Sequence, residues 1–178
     1  NERTIASTSQ ALNLKTRTWD TEILRAAGVK NNITKDLIEP GTVIGTLSKD
    51  LCDITGLRNV SVVAPGCHDT ASAVAAVPAE GKNWAYISSG TWSLMGIETQ
   101  NPVSNKKAYQ CNFTNESGVS NTYRFLKNIM GLWLVQQCRA DFQNKLDYST
   151  LTKMASEAQP FKSLIDPNRD DFLNPFSM

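Results

Sequence analysis

The stretch SVVAPGCHDTASAV, residues 61–74, decides which fold class this chain indicates. It begins with a short β-branched run, passes through a glycine turn, and reaches Asp69 just before a run of small apolar residues. The first part is typical of a buried strand, and the last predicts a helix that is tightly packed all round. A strand, a glycine turn, an acid and a helix in this order place a polar side chain at the mouth of an α/β sheet.

Asp69 has two interpretations when its position is considered alone. A carboxylate at the beginning of a helix is stabilised in its charged form by about 0.3–1 kcal/mol, and it could serve there as a catalytic acid or base. Aspartate is also a preferred N-cap, which would explain the residue without any chemistry. Its neighbour His68 is the only histidine of the chain, and this favours the catalytic interpretation without deciding it.

The flanking segments predict further elements from apolar spacing and turn residues. The expected helices are 21–27, 50–55, 71–77, 129–142 and 148–158. The expected strands are 4–8, 43–45, 59–65, 84–88, 92–97, 108–113 and 120–125.

The segment PAEGKN, residues 78–83, is the best candidate for a domain boundary. It combines proline, glycine and charge between two ordered runs, which is typical of a linker. The prediction is therefore two parts, 1–79 and 80–178.

A turn containing Ser89, Gly90 and Thr91 joins the two strands predicted on either side of it. Backbone N–H groups and hydroxyls in such a small arc can hold phosphate oxygens. The simpler alternative is an ordinary hairpin turn, because glycine is common in turns. The chain contains neither a Walker-type loop nor a dinucleotide-binding glycine fingerprint.

Two amide side chains further along the chain have a similar double interpretation. Asn128 immediately precedes the predicted helix 129–142, where an asparagine commonly caps. Gln136 lies inside that helix, and its simplest interpretation is a solvated face.

Composition limits the possible classes of function. The formal net charge is +1, which gives no reason to expect binding to nucleic acid or to an anionic membrane. No apolar run approaches the ~20 residues that span a bilayer. Four widely spaced cysteines and one histidine make a structural zinc site unexpected. We expect reduced thiols and a cytoplasmic protein.

Three motifs together resemble one known family. They are HDTASAV at 68–74, SSGTWSLMG at 88–96 and NIMGLW at 128–133, supported by WD at 19–20 and PGTVIG at 40–45. Their order and separation resemble the FGGY carbohydrate kinases, and the GTWSLMG string resembles the rhamnulokinases within that family. The resemblance covers nearly the whole chain.

The resemblance implies an α/β protein in which each of two domains has the ribonuclease-H-like, actin-type ATPase fold. Residues 1–79 would end the sugar-binding domain, and 80–178 would begin the ATP-binding domain. Asp69 would take the proton from the sugar hydroxyl. His68, Thr70 and Asn128 would contact the sugar.

On the nucleotide side, the resemblance implies that Gly90 and Thr91 hold the ATP phosphates and that Gln136 lies near the nucleotide. Mg²⁺ would bridge phosphate oxygens and keep several waters. The motifs offer no dedicated carboxylate cage for the metal, and the metal-ligand prediction is therefore none.

Two features expected of the family, an Asp-x-Gly phosphate hairpin and a late glycine-rich adenine segment, do not occur in these residues. The chain is therefore expected to be a central fragment without activity of its own. The function that the resemblance implies is ATP-dependent phosphorylation of L-rhamnulose to L-rhamnulose 1-phosphate. A kinase for another ketose or polyol, and a non-catalytic actin-like nucleotide-binding module, remain as alternatives.

Overall fold

The structure, a computed structural model, describes residues 1–30, 34–81 and 83–172. Lys82, which belongs to the predicted 78–83 linker, lies outside the described residues, and so does the C-terminal stretch 173–178. The helices of the described part are α1 Arg3–Ser7, α2 Thr21–Ala26, α3 Lys49–Thr55, α4 Asp69–Ala75, α5 Lys106–Gln110, α6 Trp133–Asp141 and α7 Tyr148–Glu157. The strands are β1 Val43–Thr46, β2 Ser61–Val63, β3 Tyr86–Ser89, β4 Trp92–Thr99, β5 Thr114–Ser117 and β6 Tyr123–Met130.

The strand predicted at 4–8 is wrong, because this segment forms α1. The Glu2 carboxylate caps the helix by accepting hydrogen bonds from the backbone N–H groups of Thr4 and Ile5. Thr4 is completely buried. The β-branched Thr4 and Ile5 favour a strand locally, but a satisfied cap and a buried face outweigh that preference.

Helices α2 and α3 confirm the predictions at 21–27 and 50–55. The Asp20 side chain accepts hydrogen bonds from the amides of Glu22 and Ile23 and so begins α2. Gly56 ends α3 in the left-handed conformation, with φ of 74°. A glycine adopts this conformation without the steric cost that a Cβ imposes.

The decisive stretch 61–74 forms the predicted strand and helix but with less burial than expected. Strands β1 and β2 pair antiparallel, and all three residues of β2 are exposed. Helix α4 buries Thr70, Ala71 and Val74 on one face. The prediction of a helix packed all round is therefore wrong, because small apolar residues permit close packing on every side without requiring it.

A four-stranded sheet has the order β3-β4-β6-β5. The hairpin predicted from 84–97 is confirmed, with β3 beginning at Tyr86. The strand predicted at 108–113 is wrong, because Asn105 caps α5 by accepting from the Ala108 amide at 2.9 Å. Strand β6 continues to Met130, so the helix predicted from residue 129 begins only at Trp133.

The chain divides into two compact units by its contacts, one of residues 1–86 and 96–127, the other of residues 87–95 and 128–178. In the first unit α1 packs against β5, and the Ser117 amide donates to Ser7 Oγ at 2.8 Å. Leu126 and Val74 are among the most buried apolar side chains of this unit. In the second unit α6 and α7 line an apolar groove that includes Leu134.

Gly96 allows a close approach inside the first unit. A Cβ at this position would lie 2.7 Å from both Leu126 Cβ and the Phe125 carbonyl, and 2.8 Å from the Tyr86 hydroxyl. The Tyr86 ring is buried, and this burial raises its pKa to about 12, so the hydroxyl stays neutral at physiological pH. The final glycine of the GTWSLMG motif is thus required by packing.

We expect Gly96→Ala to destabilise the chain by about 1–3 kcal/mol, because the extra methyl group overpacks a buried contact. Gly45→Ala is a matched control, since nothing lies within 4 Å of a Cβ added there. Urea unfolding of both variants measures the effect. A Gly96→Ala midpoint equal to that of the control would contradict the packing explanation.

Candidate active site

The turn that leads into Asp69 is held by the first turn of α1. Glu2 Oε2 accepts from the Cys67 amide at 2.9 Å, and Thr4 Oγ1 accepts from the His68 amide at 3.1 Å. Thr4 Oγ1 also donates to Glu2 Oε2 at 2.5 Å. Burial acts to raise the pKa of Glu2, but hydrogen bonds from Thr4, Cys67 and Ile5 outweigh it and hold the pKa below its usual value. The carboxylate that caps α1 therefore also fixes the turn 67–68.

Asp69 is the first residue of α4, and the N-cap position belongs to His68. The Asp69 side chain is 95% exposed. Its Oδ1 accepts from the adjacent Thr70 amide at 2.6 Å. The simple capping interpretation of Asp69 therefore does not apply, and the carboxylate faces solvent at the beginning of the helix.

Thr70 is buried beneath this carboxylate. Its hydroxyl lies 3.3 Å from Asp69 Oδ1, in hydrogen-bonding geometry. Only 9% of the residue is exposed. In this arrangement Thr70 orients Asp69 through both its amide and its hydroxyl.

His68 contacts a buried ion pair that the sequence analysis did not anticipate. Arg124 is completely buried, and its Nη2 donates to Glu116 Oε2 at 2.6 Å. The same Nη2 lies 2.7 Å from His68 Nδ1. The other ring nitrogen of His68, Nε2, lies 3.5 Å from Asp69 Oδ1. A chain of polar contacts therefore joins β5 and β6 to Asp69.

The sheet register explains why Glu116 and Arg124 meet. They are direct partners in the antiparallel pair β5–β6, which brings opposite charges together on one face. Burial acts to raise the pKa of Glu116, but its polar contacts, among them the Arg124 guanidinium at 2.6 Å, outweigh burial and lower it. The sequence feature that could have predicted this ion pair is a charged residue within each of two adjacent strands. It was missed because the first strand was placed at 108–113.

The second group of predicted residues lies in the unit of residues 87–95 and 128–178. The carbonyls of Gly90 and Thr91 accept from the amides of Leu132 and Trp133, at 2.9 and 3.1 Å. Gln136 Nε2 donates to Thr91 Oγ1 at 3.4 Å. The structure therefore brings Gly90, Thr91 and Gln136 together, as an arc of backbone and side-chain polar groups.

Asn128 belongs to the same compact unit and is exposed on β6. The capping alternative for Asn128 is wrong, because the residue lies inside a strand and not before a helix. His68, Asp69 and Thr70 lie in the other unit. The predicted site residues are thus divided between the two units, with His68, Asp69 and Thr70 in one and Gly90, Thr91, Asn128 and Gln136 in the other.

Gly131 sets the distance between the turn at 90–91 and the beginning of α6. A Cβ at Gly131 would lie 2.6 Å from the Gly90 carbonyl oxygen, 2.7 Å from Ser93 Oγ and 2.8 Å from the Trp92 carbonyl carbon. The glycine of the NIMGLW motif therefore permits the backbone approach that holds Thr91.

Residues 1–30, 34–81 and 83–172 contain no group of three or more His, Cys, Asp or Glu that could hold a metal ion. No helix in these ranges is long and apolar enough to cross a membrane. Cys52, Cys67, Cys111 and Cys138 are all free thiols.

Comparison with known proteins defines the protein family to which this chain belongs. Residues 1–76 match the model of the N-terminal domain of the FGGY family of carbohydrate kinases. Residues 85–178 match the model of the C-terminal domain of the same family. This chain belongs to the FGGY family of carbohydrate kinases.

Individual relatives are similar to the chain over almost its whole length. The chain is 48% identical over 177 residues to a rhamnulokinase of Bacteroides thetaiotaomicron. The match covers 99% of this chain and 36% of that protein. It is 44% identical over 177 residues to a rhamnulokinase of Enterococcus faecalis, with the same coverage. The chain thus spans about a third of the length of the curated relatives it matches.

The fold has a counterpart among solved structures. The crystal structure of ligand-bound xylulose kinase from Lactobacillus acidophilus superposes with a TM-score of 0.67 at 18% identity, over 89% of this chain and 32% of that one. The α/β fold of the ribonuclease-H-like, actin type is therefore confirmed.

We expect Gly131→Ala to destabilise the turn at 90–91 by about 1–3 kcal/mol, because its methyl group would meet backbone atoms that cannot move away cheaply. Gly90→Ala is the matched control, since the nearest atom to its Cβ would be 3.6 Å away. Hydrogen exchange of the Leu132 and Trp133 amides reports the local opening. Equal protection in both variants would contradict this account.

The lowered pKa of Glu116 predicts a dependence of stability on pH. Its stabilising contribution is fully present above the usual glutamate value of 4.5 and is lost as the pH falls through the lower folded-state pKa. We expect Glu116→Gln to cost about 3–5 kcal/mol near neutral pH, because it leaves Arg124 buried without its counter-charge. The deficit should shrink below pH 4.5.

Chemical unfolding at a series of pH values measures this deficit. Glu80→Gln, at an exposed glutamate of the same unit, serves as the control and should follow the wild-type curve. A Glu116→Gln deficit that stays constant from neutral to acid pH would show that the carboxylate charge is not involved.

Proposed function

We propose that the full-length protein containing this chain phosphorylates L-rhamnulose with ATP, producing L-rhamnulose 1-phosphate in L-rhamnose catabolism. The observation that carries the proposal is the solvent-facing Asp69 carboxylate, in a chain 48% identical to a protein named rhamnulokinase. Because the chain spans about a third of that relative, the activity is proposed for the whole protein.

In this proposal Asp69 is the general base that takes the proton from the 1-hydroxyl of the sugar. A base needs to be within hydrogen-bond reach of the proton, and an exposed carboxylate can approach a bound sugar. The contacts from Thr70 hold Asp69 through Oδ1, and Oδ2 has no hydrogen-bond partner among residues 1–30, 34–81 and 83–172. The proton then resides on the Asp69 carboxyl as the sugar oxygen forms its bond to the γ-phosphorus of ATP, while the bond from that phosphorus to the bridging oxygen breaks and ADP leaves.

We propose that His68, Thr70 and Asn128 take part in binding the sugar. The buried position of Thr70 suits an indirect role, because its hydroxyl already faces Asp69. The exposed amide of Asn128 offers both a donor and an acceptor for sugar hydroxyls.

We propose that the turn at Gly90 and Thr91 binds the ATP phosphates and that Gln136 lies beside the nucleotide. Phosphoryl transfer depends mainly on positioning and on stabilisation of charge. The Gly90 amide donates to the Trp92 carbonyl at 2.8 Å, so the Thr91 hydroxyl is the better placed donor in this conformation. Gln136 holds that hydroxyl in place.

Mg²⁺ is the metal that we propose for the reaction. The polar groups at Thr91 and Gln136 are hydroxyl and amide, which suit phosphate oxygens better than a bare cation. When bound, Mg²⁺ would neutralise charge on the phosphates.

We further propose that residues 1–79 complete the sugar-binding domain and that 80–178 begin the ATP-binding domain. The two family matches, 1–76 and 85–178, support a boundary in this region. The partners would be the sugar and ATP, and the four free thiols support a location in the reducing cytoplasm.

The test is Asp69→Asn in the full-length protein that contains this chain. Removal of the base should lower kcat for L-rhamnulose by about 10²–10⁴-fold. Asp50→Asn is the matched control, because Asp50 is an exposed aspartate in the first turn of α3 in the same unit. It should keep wild-type turnover, and near-normal turnover of Asp69→Asn would exclude Asp69 as the base.

The substrate is tested on the wild-type protein with L-rhamnulose, other ketoses and polyols. Preference for another sugar would replace L-rhamnulose while keeping the kinase assignment. Nucleotide binding without turnover of any sugar would favour the non-catalytic actin-like module.

A further inference from the structure

We infer that Arg124 is a positioning residue that sets the tautomer of neutral His68, with the proton on Nε2, so that Nε2–H faces Asp69. This inference deepens the proposed function, because it rests on Asp69 as the base. It concerns a buried residue outside the motifs that indicated the site.

Arg124 Nη2 determines which ring nitrogen of His68 accepts a hydrogen bond. This nitrogen has two hydrogens, and two acceptors lie at hydrogen-bonding distance, Glu116 Oε2 at 2.6 Å and His68 Nδ1 at 2.7 Å. A guanidinium only donates, so Nδ1 must accept with its lone pair. A neutral imidazole whose Nδ1 accepts carries its proton on Nε2.

The competing arrangement has a proton on Nδ1 that points to Glu116. Glu116 Oε2 lies 3.4 Å from Nδ1, well beyond the 2.7 Å between Nδ1 and Arg124 Nη2. A protonated Nδ1 would place two donors in contact at the shorter distance, which is repulsive. The shorter contact therefore decides the tautomer.

Glu116 holds Arg124 in place beside His68. The pair is part of the β5–β6 register, and the Arg124 side chain has no exposed surface. A buried cation needs such a partner, since an unpaired one is costly. The Arg124 guanidinium that donates to His68 is therefore held in place by Glu116 and by the strand register.

The consequence for Asp69 follows from the second ring nitrogen. Nε2 lies 3.5 Å from Asp69 Oδ1. Hydrogen bonds of this kind are often long before substrate binds. With the proton on Nε2, His68 restrains the same oxygen of Asp69, Oδ1, that Thr70 contacts.

The tautomer can be measured directly because His68 is the only histidine of the chain. In the ¹⁵N-histidine-labelled chain without a histidine tag, a long-range ¹H–¹⁵N correlation spectrum at neutral pH distinguishes protonated from unprotonated ring nitrogens. We expect Nδ1 at the unprotonated position and Nε2 at the protonated one. A protonated Nδ1, or an averaged pair of resonances, would overturn the inference without requiring any variant.

The role of Arg124 is tested with Arg124→Met combined with Glu116→Leu, which removes both buried charges together. We expect the Nδ1 resonance to shift away from the unprotonated position. Arg58→Met is the control, because Arg58 is an exposed arginine of the same unit in an ion pair with Asp53. A double variant that folds and keeps the wild-type resonances would show that Arg124 does not set the tautomer.

Turnover in the full-length protein tests the effect on catalysis. Loss of an orienting partner typically costs 10–100-fold, so we expect the double variant to lower kcat by about that factor with the KM for ATP unchanged. A changed tautomer with unchanged kcat would overturn the positioning role. Failure of the proposed function would appear separately, as Asp69→Asn that retains turnover while the wild-type tautomer is as expected.

Discussion

The buried charge of Arg124 constrains the first compact unit more than any other single group. A guanidinium without exposed surface must find its counter-charge and acceptors inside the protein, and it finds them in Glu116, the Ser117 carbonyl and His68. Strands β5 and β6 must therefore keep their register, and the turn at 67–68 must lie against them. Asp69 follows this turn directly, so its position depends on that buried charge.

A second carboxylate, Glu2, holds the same turn from the other side. It caps α1 and accepts from the Cys67 amide, while Thr4 accepts from the His68 amide. The turn before Asp69 is thus fixed by hydrogen bonds from one helix and one sheet. Such support on rigid elements is what a catalytic carboxylate requires, because small displacements cost much of the rate.

The sequence motifs combine chemistry with packing. Gly96 ends the SSGTWSLMG motif and Gly131 lies inside the NIMGLW motif, and each lies where a Cβ would meet another backbone atom at less than 3 Å. Motif identity, glycine turns and helix caps such as Asp20 could be predicted because each depends on neighbouring residues. Segment 4–8 was assigned to the wrong element because Glu2 and Thr4 are also held by the amides of Cys67 and His68, far along the chain.

The amino-acid sequence by itself determined the family, the α/β class, the hairpin at 86–99 and the residues around which a site is proposed, because these follow from local patterns and motif order. Only the tertiary structure decided that Asp69 is exposed and not a cap, and that Thr70 lies beneath it. It alone joined Glu116, Arg124 and His68. Contacts between residues 56 positions apart depend on strand register and burial, which local sequence does not specify.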